Sequence, residues 1–490
     1  MKTLHAVAGY LPGLRQEDAE WQTLRFESAQ AAVDVKVPVL SAAQMKALAL
    51  RVTAASRAHL KTLTVSQVID IVDRAISRLL DPADPYRQEA DRLLPIITGY
   101  DAEMVRLGLS SFLRSFRAAQ LHRFVAEDFA NPKVLDEFQP AAKGGAIRAF
   151  GPELLVQVWA GNVPALPLWS MVCALLVKAG SIGKVPSAEP LFAGLFARLL
   201  AEVHPPLADC LAVVWWKGGE QGPADALFAQ ADTVLAYGTN ESLEQIRARV
   251  PVSTRFLPYG HKLGFGLVAR AALDAQRAPA TARMAAHDVA RYDQQGCYSP
   301  HVFYVERDGK VSPREFAQYL ASELANLQRR FPRRAAALED AGAIAGWRQS
   351  SELKALSAEG DELIGSAQSP WAVAYTDSPQ PLAPTAAHRH VQVVAVDRLD
   401  DVIALVEPYR AFLQTAGIAA EPAELFRISQ LLGQAGVTRI TAMGAMTAPE
   451  AGWHHDGRFN LLDLVRICEI EQSAERAADR LAPYADEDAP

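Results

Sequence analysis

Apolar positions along this chain recur at two spacings, and the alternation between them sets the expected architecture. Near-helical spacing of Val68, Ile69, Ile71, Val72, Ile76, Leu79 and Leu80 predicts a helix over 65–80. The same rhythm in Met104, Leu107, Phe112, Leu113, Phe116, Leu121 and Phe124 predicts one long amphipathic helix over 103–129. Short unbroken apolar runs at 154–159, 181–185, 211–216 and 233–237 read instead as buried strands, separated by helical stretches at 163–177, 190–200 and 240–249. Strands alternating with helices at that interval predict parallel βαβ units. A second series follows, with strands at 263–268, 301–305, 390–396 and 438–443 and helices at 283–292, 316–331, 334–359, 400–411 and 423–434. The expected fold class is α/β. Before residue 95 the pattern is weaker, with strands around 31–40 ahead of the 65–80 helix. A last helix is expected over 461–472, and the acidic end at Asp486-Glu487-Asp488, with nothing to bury, is expected to be disordered.

Composition narrows the classes of function. The chain has 490 residues, half of them apolar, enough for several domains and a substantial core. Its net charge of −7, without a dense run of Lys and Arg, argues against nucleic acid or an anionic membrane as partner. Four cysteines lie far apart with no CxxC pair, which suggests neither a disulfide framework nor zinc and fits a reducing cytoplasm. No secretory signal is expected at the N-terminus. The apolar run 163–177 is shorter than the roughly 20 residues of a membrane span, holds Pro164 and Pro167 and is followed by Lys178, so it reads as a buried helix.

Candidate chemistry gathers at strand ends and at one thiol. In open parallel sheets ligands sit at the carboxyl ends of strands, where Asn162, Lys184 and Gly238-Thr239 all fall. In Asp293-Gln294-Gln295-Gly296-Cys297-Tyr298-Ser299-Pro300-His301 a polar, glycine-containing turn runs into an apolar strand. Cysteine is ordinarily a small buried hydrophobe, but these neighbours suit an accessible nucleophile at a loop tip. In Trp453-His454-His455-Asp456-Gly457 the two histidines diverge and no further ligands accompany them, so no metal site is expected. That stretch reads as a turn capped by Asp456 and packed by Trp453, with a histidine near the nucleophile as proton donor the alternative. His261 carries the same ambiguity, and His388 and His390 read as structural or exposed.

Gln295-Gly296-Cys297 resembles the nucleophile turn of the aldehyde dehydrogenase superfamily. The longer stretch 294–301, taken with Gly161-Asn162-Val163-Pro164 and 453–457, is similar to the acyl-CoA reductase family of the bacterial bioluminescence fatty-acid reductase. The resemblance runs over about 151–471 and implies an aldehyde-dehydrogenase-like fold: two parallel α/β domains, one cofactor-binding and one catalytic, with a helical N-terminal part. It divides the chain into 1–260, an N-terminal region with the cofactor domain; 261–445, the catalytic domain; and 446–490, a segment returning to the cofactor domain.

Carried over residue by residue, the resemblance makes Cys297 the nucleophile and Asn162 an oxyanion donor, although Asn after Gly is also an ordinary turn residue. Lys184 takes the place of the lysine on the adenosine ribose, and Gly238-Thr239 that of the Gly-Ser at the helix start that meets the pyrophosphate. Lys184 alone would be a surface lysine, and Thr239 as a plain N-cap explains the same residues. Ser187 stands where many NAD-preferring relatives place a Glu that repels a 2′-phosphate, so NADPH is the expected cofactor. Two family features are missing. The general-base Glu of aldehyde oxidisers has no counterpart in Tyr259-Gly260-His261-Lys262-Leu263-Gly264, where His261 is the remaining candidate, and no Glu-x-Phe motif can be assigned. Both absences suit a reductase, because an acyl-enzyme awaiting hydride is wasted if water is activated beside it. The implied activity is reduction of a fatty acyl-CoA or acyl-carrier thioester to the aldehyde, by a cytoplasmic homo-oligomer that works with an acyl-protein synthetase. A cysteine acyltransferase or thioesterase without nucleotide, and a non-catalytic binding relative, are the alternatives.

Overall fold

The computed structural model describes residues 2–28, 31–220 and 222–482. The chain begins with a three-stranded sheet of β1 (Lys2–Val7), β2 (Glu20–Glu27) and β3 (Ala31–Val39), in the order β1-β3-β2. The N-terminal part is therefore α-helical only from Ala42 on, with a 3-10 turn at Gln16–Asp18 before it. Ser41 and Thr64 each form a capping box with a Gln three residues later and start the helices Ala42–Ala58 and Val65–Leu80. The second of these has the bounds expected from its apolar spacing.

The single helix expected over 103–129 is two, Ala102–Arg114 and Ala118–Asp128. The cause of the break lies outside the segment. Asp73, on the Val65–Leu80 helix, accepts the N–H of Ala118 at 2.8 Å and Nε of Arg117 at 2.5 Å, which caps a new helix start. Phe116 turns inward against Trp169, with ring centroids 5.9 Å apart.

After the short hairpin of β4 (Gln139–Pro140) and β5 (Ala146–Phe150) come five parallel strands: β6 (Leu154–Val158), β7 (Gly180–Lys184), β8 (Leu211–Val214), β9 (Thr233–Tyr237) and β10 (Arg255–Tyr259). Their order is β10-β9-β6-β7-β8. β6 to β9 are covered on both faces, which is why they read as continuous apolar runs. The chain then crosses into a seven-stranded sheet between Tyr259 and Leu263. Its strands are β11 (Leu263–Val268), β12 (Pro300–Glu306), β13 (Glu362–Ile364), β14 (Ala372–Thr376), β15 (His390–Val396), β16 (Leu413–Ala419) and β17 (Arg439–Ala442). The order is β13-β14-β15-β12-β11-β16-β17, parallel except for β13. One apolar cluster joins the two halves, containing Leu235 of β9 and Phe303 of β12 alike.

Two other expectations give way. The helix expected over 400–411 is one short helix, Val402–Val406, between 3-10 turns. The helix expected over 461–472 is replaced by a strand, β18 (Arg466–Ile470), antiparallel to β5. Leu461, Leu464, Val465 and Ile467 mimic helical spacing, but the open edge of β5 offers N–H and C=O groups that only a strand can pair. Asp486-Glu487-Asp488 lies outside the described residues. Among those residues no helix is long and apolar enough to cross a membrane.

Candidate active site

Helix Arg277–Ala290 feeds the thiol turn, and the turn feeds β12. Tyr292, Asp293 and Gln294 have φ of +49°, +51° and +61°, a left-handed turn of three non-glycine residues. Each such residue costs about 1–2 kcal/mol, so its surroundings must hold it. Asp293 bonds the fully buried Arg389 at 2.8 Å and accepts the N–H of Arg334 at 3.2 Å. Gln294 donates to the carbonyls of Pro300 and His390 at 2.8 and 3.2 Å. Opposite runs a second left-handed triplet, Ala387, His388 and Arg389, and the His388 N–H donates to Asp293 O at 2.9 Å. His388 and His390 are both buried and belong to this frame. A Cβ on Gly296 would lie 2.3 Å from the Tyr298 ring, so a larger residue before the thiol would have to push that ring aside.

Cys297 is partly exposed. Gln414 Nε2 lies 3.5 Å from its Sγ and donates to Asp456 Oδ1 at 2.6 Å. Burial pushes the Cys297 thiol up to about 11, and the Asp456 charge adds to this while Gln414 and Arg439 oppose it. The resting sulfur is thus a thiol at neutral pH. Asn162, just past β6, donates its amide to Gln295 O at 2.5 Å, two residues before the thiol, and its own carbonyl oxygen accepts from the Tyr100 hydroxyl at 2.8 Å. Asn162 Oδ1 is buried without a partner. His455 stacks between Tyr259 and Trp453, with centroids 4.5 and 4.7 Å away, and burial pushes it down to about 4, leaving a neutral imidazole. A cavity with Phe112, Trp169, Pro449 and Trp453 in its walls reaches both Cys297 and His455, and none of its described lining residues is Asp or Glu.

The expected cofactor residues lie on the five-stranded sheet's carboxyl edge. Lys184 ends β7 with Nζ 6.0 Å from the Trp216 ring centroid, and burial pushes it down to about 8. Ser187 is exposed and its Oγ accepts from Trp215 Nε1 at 3.1 Å. Gly238 follows β9, and Thr239 caps the helix Asn240–Arg247 by accepting the Ser242 N–H at 3.3 Å. Gly238 has no side chain of its own beside that helix start, and a Cβ there would stand 2.8 Å from Ser242 Oγ. These groups fit a dinucleotide: one half-buried lysine, a bare glycine and the first N–H groups of a helix. His261 does not join the site; it is exposed and absent from the walls of the thiol cavity.

The sequence did not single out Gln414, and it read Asp456 only as a turn cap, although both lie beside Cys297 in the structure. The only signal was a glutamine inside the apolar run of β16, a strand the pattern did not reveal. Among the described residues no group of three or more His, Cys, Asp and Glu side chains could hold a metal ion.

A family model described as acyl-CoA reductase (LuxC) matches residues 60–467. Long-chain acyl-protein thioester reductase 2 of Photobacterium leiognathi is 26% identical over 421 residues, 84% of this chain and 83% of the relative. The long-chain acyl-protein thioester reductase of Vibrio harveyi is 23% identical over 425 residues, 84% of each. Among solved structures, the aldehyde dehydrogenase KauB of Pseudomonas aeruginosa superposes with a TM-score of 0.73 at 14% identity, covering 94% of this chain and 96% of its own. The NADP-dependent glyceraldehyde-3-phosphate dehydrogenase of Bacillus halodurans C-125 does so with 0.70 at 13%, covering 95% and 99%. At such identities the likeness shows a shared fold.

Proposed function

Because this chain belongs to the acyl-CoA reductase (LuxC) family, we propose that it reduces a long-chain acyl thioester to the aldehyde with NADPH, through an S-acyl-Cys297 intermediate. The observation that carries this reading is the largely apolar cavity that reaches Cys297 with no carboxylate in its described walls. It suits an acyl chain, and the carboxylate that acts on the thiol, Asp456, is bonded to Gln414 and is not among the cavity's described lining residues, where water would meet the acyl-enzyme. In this reading Sγ attacks the thioester carbon, and the carrier leaves as its thiol with the proton that Cys297 loses. The Asn162 amide and the Cys297 N–H meet the negative charge on oxygen. NADPH, when bound, supplies the hydride. Lys184, Ser187, Gly238 and Thr239 hold the cofactor at the carboxyl edge of the five-stranded sheet. His455 stands at the reacting centre in place of His261, because it lines the thiol cavity and His261 does not, and as a neutral imidazole it offers a ring N–H as a hydrogen-bond donor. The similarity to long-chain acyl-protein thioester reductases favours an acyl group delivered on a protein, with a synthetase as the partner that loads it; we further propose a cytoplasmic homo-oligomer. Acyl-CoA offers the same thioester for assay.

The test separates acylation from reduction. Mixing the protein with a long-chain acyl-CoA and no NADPH is expected to release about one CoA per site in a burst, with an adduct on Cys297 seen by intact mass and little free acid. NADPH then discharges the adduct as aldehyde, and Cys297→Ala shows neither phase. Multiple turnovers to free acid before NADPH is added would make the protein a thioesterase.

A further inference from the structure

We propose that Gln414 is a further catalytic residue, an N–H donor fixed against the reacting sulfur, and that Asp456 is the positioning residue that aims it. This rests on the reading of Cys297 as nucleophile. Gln414 is fully buried as the second residue of β16, whose first residue, Leu413, pairs with Leu263 of β11. Its Nε2 lies 3.5 Å from Cys297 Sγ and 2.6 Å from Asp456 Oδ1, and its Oε1 accepts from Thr415 Oγ1 at 3.3 Å. A carboxylate only accepts hydrogen bonds, so the half of the amide that faces Asp456 is the NH2 half. The second N–H on the same nitrogen is thereby aimed at sulfur. Without that constraint the two ends of an amide have nearly the same shape, and the carbonyl could face the sulfur instead.

Asp456 is itself held in place. It sits at φ +54° in the His455–Gly457 turn, and Lys262 Nζ lies 4.0 Å from its other oxygen. Three segments far apart in the chain therefore converge on one carboxylate, that of Asp456: the crossing at Lys262, the start of β16 and the turn after β17.

The chemistry asks for such a donor twice. Negative charge gathers on Sγ when the thiol gives up its proton and attacks. It returns when the thiohemiacetal collapses, as C=O re-forms, the C–S bond breaks and the electron pair goes to sulfur, which then takes a proton from solvent. Burial and the Asp456 charge oppose both events. An N–H aimed at Sγ offsets them without itself losing a proton. The other titratable or charged groups around the thiol, among the described residues, include Arg291, Arg439, His455, Tyr237, Tyr292 and Tyr298.

The pH profile of Cys297 alkylation by iodoacetamide tests this without any thioester or cofactor. Peptide mass assigns the site, because Cys468 is also partly exposed. Gln414→Met, which keeps the volume and removes the donor, is expected to raise the apparent thiol pKa by about one unit or more. Asp456→Asn removes a repelling charge but also the aim. Its shift in the native background should therefore be zero or upward, and in the Gln414→Met background downward. Equal shifts in both backgrounds, or a Gln414→Met profile that matches the native one, would overturn the proposal. If Gln414→Met fails to fold, the isosteric Asp456→Asn decides alone: a downward shift means a bare charge effect. With acyl-CoA, both variants should slow the CoA burst about tenfold or more while KM stays near native. A normal alkylation result with no burst in the native protein would instead count against the thioester reading.

Discussion

Asn162 is the residue at which a turn role and a chemical role part company. A turn asparagine bonds within its own loop, whereas this amide reaches a carbonyl 133 positions away, inside the nucleophile turn. Asn162→Ala is expected to lower kcat by roughly 10²–10³-fold with KM little changed, measured by steady-state NADPH oxidation. A native kcat would return the residue to loop packing. Ser187 decides a subtler matter. Its hydroxyl is engaged by Trp215, and it leaves Lys184 without an acidic rival at the expected ribose site. Ser187→Glu should bring a carboxylate toward the 2′-phosphate and narrow the preference for NADPH over NADH by about tenfold in Kd ratio, read by cofactor fluorescence titration. Equal affinities in the native protein would remove the premise. The sequence singled out Asn162, Lys184 and Gly238-Thr239 because they stand at strand ends and Cys297 because its turn runs into β12, and the family resemblance supplied the roles expected of them. It could not name Gln414, since nothing around position 414 says which sulfur it will face.

At the scale of elements, the two left-handed triplets act as a clamp. Tyr292-Asp293-Gln294 and Ala387-His388-Arg389 are held together by the Asp293–Arg389 pair, with side chains 1% and 0% exposed. Arg389→Met leaves Asp293 buried opposite an apolar chain. It is expected to destabilise the fold by about 3–5 kcal/mol in denaturant unfolding. It should also slow the CoA burst, because the strained turn loses its anchor. A loss below about 1 kcal/mol would mean the turn is held by its backbone bonds alone. The helices and parallel strands were legible where one element buries a whole face or both faces. Where a distant group sets the boundary they were not, as Asp73 shows by cutting the helix expected over 103–129.

On the scale of the whole molecule, the segment 453–470 is tied back beside the candidate site. Asp128, at the end of the Ala118–Asp128 helix, accepts the N–H groups of Leu461 and Leu462 at 2.5 and 3.0 Å. Just before them lies the turn that carries Trp453, His455 and Asp456, and just after them β18 pairs with β5. Asp128→Ala strands two N–H groups, at a cost of about 1–3 kcal/mol. It is expected to lower the melting temperature and, by loosening the 453–457 turn, to reduce kcat more than cofactor affinity. A loss of stability with unchanged kcat would separate the tie from the site.

By itself the sequence determined the alternation of buried strands and helices, the thiol turn ahead of β12 and the polar strand ends at Asn162, Lys184 and Gly238. Each of these depends on spacing and turn chemistry within some ten residues, where backbone preference and burial agree. Tertiary structure alone decided that 466–470 is a strand, that the helix breaks at 115–117, that His455 and not His261 lines the thiol cavity, and that Gln414 meets Cys297. Those outcomes depend on which open edge, cap or charge arrives from a hundred or more residues away, or from another element. Such partners enter the energy only once the sheets are packed, so no local pattern records them.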